Sequence, residues 1–486
     1  MKPYTELSSF IRGKIDAFLE SLVPTGFPMD EILGGSTSTR GIIRAAEGLL
    51  YRNNPGDESK AIEIIRWVLS QQFKKRFHLI TGSWKTSPVN SRLDSNWREF
   101  IGCELIIIYE NYKERLPEKL LELMKLGLIM AALNSKSRNV TPYYTNIATM
   151  SAFLMDYVGR KFQYPALTRL GIRKATQIFN IYFRNHTFSE FNSPTYAGTT
   201  CLAFNLWKKY GSAKFQKLGV IMEAETWEQT ASFYNFNLKN ICGPYFRGYG
   251  MDMLNYSAII GLWMGIVLDN QEIMPYPQEK DEKYFEISNI IPIVHLDPHV
   301  PKKVIREFSE FSSERFLEGT IINRNELFSP RKRFNAMITK KWMIGGLMRD
   351  LRNWNQRKIG TMHWKIDSSN KIGWLLVPGD GKGDVTVTKT NMSIFAKLFT
   401  KSIRIFVQAP NLKKEMFTER QWKLPGITLR IYPHKSKISI RKIENNAQFR
   451  KQWAIADEVD TVFEIKCNFK RKPLRQQAIT LEPMSE

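Results

Sequence analysis

The chain has 486 residues, 43% of them hydrophobic and 12% aromatic, which is enough for two or three cored domains and excludes a disordered chain. Lysine and arginine number 71 against 47 acidic residues, a formal +24, and a field of that size favours a polyanionic partner. No apolar run is long enough to span a bilayer, since the best, YSAIIGLWMGIVLDN at 256–270, is short and interrupted by glycine; no membrane partner is expected.

The first twenty residues lack a signal-peptide core and read as an amphipathic helix. They predict a soluble, cytoplasmic protein unless a leader has been removed. From there to about Asn270 helix follows helix. Apolar residues recur at helical spacing over 61–73, 96–112, 116–134, 146–162, 164–185, 201–211, 214–234 and 251–269, with Pro117 placed for a first turn. No repeat unit recurs, which speaks for unequal helix hairpins closing into a ring rather than a solenoid. A Pro- and charge-rich piece at 268–286 reads as a linker, and one more helix is expected over 301–316. Short alternating or β-branched segments then follow at 334–346, 359–366, 372–379, 384–390, 402–410, 427–434, 436–443 and 461–469, split by turn signals such as PGDGKGD and Ser368–Asn370. The expected architecture is multidomain, α then β: an incomplete (α/α) toroid over 1–285 and an antiparallel β-sandwich over 286–486.

Four scattered cysteines, Cys103, Cys201, Cys242 and Cys467, form no CxxC pair and read as buried free thiols. HLDPHV brings His295, Asp297 and His299 close in sequence without a further ligand set, so no metal is assigned. Basic residues crowd the C-terminal half, in SPRKRF, NLKKEMF, YPHKSKISIRK and CNFKRKPLR. The usual nucleic-acid signatures are absent; by charge alone an acidic polysaccharide, an anionic membrane surface and a solvated basic face with no specific ligand all stay open.

The densest polar segment is FRNHTFSEFNSPTYAGTT, which holds His186, Glu190, Asn192, Ser193, Thr195 and Tyr196 among Phe188, Phe191 and Pro194 at the mouth of a helix. Polar groups pinned by aromatics in that position make an active-site loop. Read with NWREFIGCEL (Asn96, Trp97), YYTNIATM (Asn146) and GPYFRGYGMD (Tyr245, Arg247, Tyr249), the order of motifs resembles the toroidal polysaccharide lyases of the hyaluronate, chondroitin AC and xanthan lyase type, within the heparinase-like superfamily. The second aromatic of that family's stacking patch is Arg98 here. His186 precedes Tyr196 by ten residues, one more than in the family.

The resemblance implies a lyase acting on a uronic-acid-containing polysaccharide or oligosaccharide, with no metal and no organic cofactor. Asn146 and Arg247, with Asn192, would neutralise the carboxylate so that the C5 proton can leave. Tyr196, with His186 or Tyr249, would act as base and acid, and Arg247 beside the hydroxyl would favour the phenolate. Asn96, Trp97, Glu190, Tyr245 and, from the β-half, His363 with Trp364 would contact substrate. Two other readings stand beside it. A glycoside hydrolase on the same toroid would use Glu190 with Asp252 or Asp94. A non-catalytic polyanion-binding protein would use the loop for recognition alone.

Overall fold

The computed structural model describes residues 1–26, 28–34, 38–75, 78–87, 89, 93–256, 258–275, 284–321, 331–350, 353–366, 371–434, 436–444, 447–455, 461–470 and 475–484. The expected linker lies partly outside these residues, at 276–283, as does the turn at 368–370.

The helical half runs α1 (Ser9–Leu22), α2 (Met29–Gly34), α3 (Thr39–Arg52), α4 (Asp57–Ser70), α5 (Trp97–Tyr112), α6 (Glu118–Arg138), α7 (Thr145–Lys161), α8 (Pro165–Asn185), α9 (Tyr196–Tyr210) and α10 (Ala213–Phe233). A two-residue hairpin, β1 (Tyr234–Asn235) and β2 (Asn240–Ile241), precedes α11 (Ile259–Val267), α12 (Ile290–Leu296) and α13 (Lys302–Ser309). Local signals set the ends. Ser8 Oγ accepts from Ile11 N ahead of α1, Pro165 opens α8, and left-handed Asn139 closes α6.

Consecutive helices pair as hairpins in two layers. α3, α5, α7 and α9 pack on one another in turn, and α4, α6, α8 and α10 back them. The inner helices are buried on nearly every side, as residues 39–51 of α3 are. The outer ones bury a stripe. α12 touches α3, α5 and α9 and closes the ring across its first and last members. The result is an incomplete toroid of helix hairpins. Helical packing continues through α13 on α10, beyond the 285/286 division expected from sequence. None of the described helices is long and apolar enough to cross a membrane.

The β-half contains β3 (Arg315–Ile321), β4 (Lys332–Ile338), β5 (Trp342–Met348), β6 (Asn353–Lys365), β7 (Ile372–Asp380), β8 (Gly383–Val387), β9 (Met392–Ala396), β10 (Ser402–Gln408), β11 (Gln421–Leu424), β12 (Ile427–Pro433) and β13 (Ser436–Ile443). A short α14 (Ala447–Trp453) precedes β14 (Val462–Phe469) and β15 (Gln476–Pro483). The strands form an eight-stranded antiparallel sheet, β13-β14-β10-β7-β6-β5-β4-β3, and a five-stranded one, β11-β12-β15-β9-β8. The segment 334–346, expected as a single strand, is a hairpin: Thr339 Oγ1 accepts from Trp342 N at 3.1 Å and turns the chain without Gly, Pro or Asn.

Two adjacent glycines on β5 show how the layers stack. A Cβ on Gly345 would overlap Gly243 O of the helical half, and one on Gly346 would lie 2.8 Å from Val385 O of the five-stranded sheet. Successive strand residues face opposite sides. The large sheet is therefore sandwiched, with the toroid on one face and the small sheet on the other. The α10–α11 connection runs along β6: Tyr245 N donates to Lys358 O (3.1 Å), Lys358 N to Tyr245 O (2.9 Å) and Gly248 N to Gln356 O (2.8 Å).

Candidate active site

That connection and the α8–α9 loop meet at the seam between the two halves. Ser193 fixes the loop. Its Oγ accepts from Tyr196 N at 3.0 Å, capping α9, and donates to Arg247 O. Asn192, at φ 45°, donates through Nδ2 to Cys242 O (2.6 Å) and Pro244 O (3.0 Å). These bonds hold the two loops together, so Tyr196 and Arg247 are presented side by side.

The Arg247 guanidinium carbon lies 3.6 Å from the centre of the Tyr196 ring, a close cation–π contact. Nη1 donates to Glu190 Oε1 at 2.6 Å and Nε to Gln356 Oε1 at 2.8 Å. Tyr144 and Trp354 flank the cation at 5.7 and 5.2 Å. The second oxygen of Glu190 accepts from Asn146 N at 2.8 Å, which places a carboxylate at the positive end of α7. The Tyr196 and Tyr249 hydroxyls are 2.8 Å apart, and Gln356 Nε2 donates to Tyr249 at 2.9 Å. Arginine can only donate, so Gln356 Oε1 must face it and its NH₂ must face Tyr249. One amide thus aims both the cation and the tyrosine pair.

Burial raises the Tyr196 phenol well above its ordinary value, while Arg247 pulls it down without prevailing. Arg247 does act in favour of the phenolate, but burial outweighs it, so resting Tyr196 is protonated. Burial raises Tyr144 in the same way, against Arg247. Burial also disfavours the Arg247 cation, but Glu190 and the surrounding tyrosines more than offset it.

The other expected residues fall out as follows. The second residue of α7, Asn146, is 1% exposed, and its Oδ1 has no hydrogen-bond partner among the described residues. Asn96 accepts from Arg138 Nη2 (2.7 Å) and reaches the Tyr144 hydroxyl (3.3 Å), so it braces the site from behind. Trp97 packs edge-on against Phe100 with Arg40 over it. Arg98 is buried and donates to the carbonyls of Leu79 and Thr81. Asn192 leaves the proposed clamp because its amide is spent on two carbonyls. Tyr245 is buried, with its hydroxyl on Ile241 O, so it faces no ligand. His363 is fully buried, bonded to Met251 O at 2.9 Å and pushed down to about 3 by burial, and holds the seam. His186 is the exposed left-handed residue that ends α8, and its ring meets Tyr182 and Phe183 rather than the tyrosine pair. Asp252 caps its own turn through Leu254 N and Asn255, and Asp94 accepts from Asn96 N.

Away from the seam, His295 is buried between Tyr112 (2.6 Å) and Glu47 (2.9 Å). Asp297 caps α12 and His299 N donates to Glu223, so the three do not converge. No group of three or more His, Cys, Asp or Glu among the described residues is placed to hold a metal. Sequence reasoning missed Tyr144, Trp354 and Gln356. The last two come from β6, with Gln356 109 residues from Arg247, and no local motif marks them.

The model of a family described as a domain of unknown function, DUF8769, matches residues 26–295, more than half of the chain. The chain belongs to that family. The DUF8769 segment carries Tyr144, Glu190, Tyr196, Arg247 and Tyr249, while Gln356 and Trp354 lie beyond it. No curated protein matches the sequence. Among solved structures the chain is similar to the chondroitin AC lyase of Streptomyces coelicolor A3 in complex with chondroitin sulphate, at 9% identity and TM-score 0.48, over 100% of this chain and 80% of that one. A tyrosine-to-alanine mutant of the same enzyme matches at 8% and 0.49, over 100% and 83%. A heparinase III with methylated lysines matches at 11% and 0.36, over 99% and 85%. These likenesses are of overall fold and carry no residue-by-residue correspondence.

Proposed function

We propose that the protein is a polysaccharide lyase that cleaves a uronic-acid-containing glycan by β-elimination. The observation that carries this reading is the Arg247 cation stacked at 3.6 Å on Tyr196, whose hydroxyl is hydrogen-bonded to that of Tyr249. Removing a proton α to a carboxylate needs that carboxylate neutralised and a base beside it, and here cation and phenol come as one unit. Among the described residues, Glu190 and Gln356 take two of the five N–H donors of Arg247 and the Tyr144 hydroxyl draws on another, which leaves donors for a substrate carboxylate. Asn146 stands beside them, its Oδ1 without a hydrogen-bond partner among the described residues; only its NH₂ can donate to a carboxylate.

The tyrosine pair first gives up one proton to solvent. The resulting phenolate, facing Arg247, takes the C5 proton. The C–H electron pair moves onto the carboxylate as an enediolate held by Arg247. It then returns to form the C4–C5 double bond as the C4–O bond breaks. The proton taken from C5 goes to the departing oxygen, which regenerates the phenolate. The hydrolase reading loses support because Glu190 is tied to Arg247 and α7, and Asp252 to its own turn.

The test is a panel of acidic glycans with ultraviolet detection of unsaturated uronyl ends. Tyr196→Phe should abolish the signal, by about 100-fold or more, with an unchanged melting temperature. Product with new reducing ends and no unsaturation would replace the lyase with a hydrolase, and no product from any acidic glycan would leave a binding protein.

A further inference from the structure

At the far end of β6 from Gln356 the two sheets part around a groove of about 420 Å³. Nine residues of strand separate Gln356 from Lys365, so the groove lies about 30 Å from the arginine–tyrosine cluster. Its walls are built rather than incidental. The 339–342 turn fixes half-buried Trp342 through bonds between Thr339 and Trp342, at 2.9 Å between their backbones. Directly across the ladder, Trp364 is buried and donates to Pro425 O at 2.8 Å. The next residue, Gly426, has φ +81° and leaves no room for a Cβ against Lys365 O. The β11–β12 turn is thus pressed onto the end of β6.

Four lysines line this groove, Lys340, Lys341, Lys365 and Lys389, all exposed. None forms an ion pair with a described residue. Glu482, also at the groove, is taken by Tyr432 and Arg430, which leaves Glu314 as the remaining carboxylate of the lining. Four ammonium groups around an open indole, with the Thr390 and Thr428 side chains beside them, match a ring that is flat on one face, hydroxylated at its edge and anionic. The volume suits a short oligosaccharide segment.

We propose that the groove is a second carbohydrate site, holding an acidic saccharide with one sugar face on Trp342 and its carboxylate or sulfate groups on the lysines. The choice of a glycan over another polyanion rests on the lyase reading of the distant site and on the single aromatic, since single-stranded nucleic acid is held on a series of stacking platforms.

The test measures binding of the full chain to chondroitin sulphate, heparin and polygalacturonate by calorimetry, alongside turnover. Lys365→Glu with Lys389→Glu should weaken binding of the best polymer roughly tenfold for each charge-assisted hydrogen bond removed. Trp342→Ala should do the same, and turnover of a short saccharide should be unchanged in both. Since Trp342 is half-buried, the lysine variant stands on its own if Trp342→Ala fails to fold. Unchanged polymer affinity in the folded lysine variant, or no binding to any of the three by the wild type, overturns the proposal. Tighter binding of a single-stranded oligonucleotide, lost in the same variants, overturns the glycan in favour of nucleic acid. If no glycan is cleaved but polymer binding falls in the variants, the lyase reading fails and the groove stands.

Discussion

The helical half contains a second arginine-centred cluster, and it behaves unlike the one at the seam. Arg44 pairs with Glu104 at 2.6 Å with both side chains 0% exposed, and donates to Ser288 at 3.0 Å. Glu47 and His295 complete it. Burial pushes Glu47 up to about 8, Glu104 up to about 7 and His295 down to about 4. At neutral pH Glu47 keeps its proton, His295 is neutral, and Glu104, facing Arg44, is partly protonated. Arg44 Nε and Nη1 are both taken by buried side chains, Glu104 and Ser288. Arg247 is also held by a carboxylate, but its neighbours Tyr196, Tyr249, Tyr144, Trp354 and Gln356 are only half-buried, and it lies where two domains meet. The sealed cluster contributes to the fold; on the lyase reading the half-open one keeps donors for a substrate.

Replacing the two arginines should separate those roles most sharply. Arg247→Ala should cut turnover by on the order of 100-fold with little change in melting temperature. Arg44→Ala should destabilise by about 3–5 kcal/mol, because it strands a buried carboxylate, while whatever remains folded turns over normally. Full activity in a folded Arg247→Ala protein would end the comparison. Next in size is pH. A phenol raised by burial supplies its base form only on the alkaline side, so kcat/KM should climb with pH through the neutral and alkaline range. A profile falling over that range would remove Tyr196 as base.

Gln356→Ala should lose about tenfold in turnover, the scale of one charge-assisted hydrogen bond. Tyr196 and Arg247 should become less dependent on each other in a double-mutant cycle. No loss would make the amide a bystander. In the sealed cluster, Glu47 retains in the folded state a proton that an unfolded chain gives up above 4.5. Its contribution is complete below 4.5 and fades as pH rises through about 8. His295 works the other way: its contribution is complete above 6.5 and fades as pH falls through about 4. Glu47→Gln should therefore flatten the decline in stability between pH 5 and 9, a slope of at most about 1.4 kcal/mol per pH unit. The smallest expected effect is none. All four cysteines are buried and free, so a reducing agent should not shift the melting temperature.

The sequence announces most helices by their 3.6-residue apolar spacing, including the buried α5, α7 and α9. α3 is missing from the expected elements although Ile42, Ile43, Ala45, Ala46, Leu49 and Leu50 keep the same spacing. The β4–β5 turn is hidden because Thr339, Lys340 and Lys341 carry no ordinary turn residue. At the site, the aromatic-pinned loop and the glycine-rich segment point to Tyr196, Glu190, Arg247 and Tyr249, which the fold brings together. Asn192 misleads, since a left-handed asparagine stapling two loops reads in sequence like a ligand-facing amide. Gln356 sits in a strand with nothing to single it out, as long-range partners do.

The passage of loop 243–248 along β6 has one more consequence. The amide that orients Arg247 and Tyr249 belongs to a strand outside the segment that defines the family. A helical half expressed without its sheets would carry the cation and both phenols but no common reference for their angles. On the lyase reading, its chemistry would depend on that docking, and a β-half that loosened would disable the site before either half had unfolded.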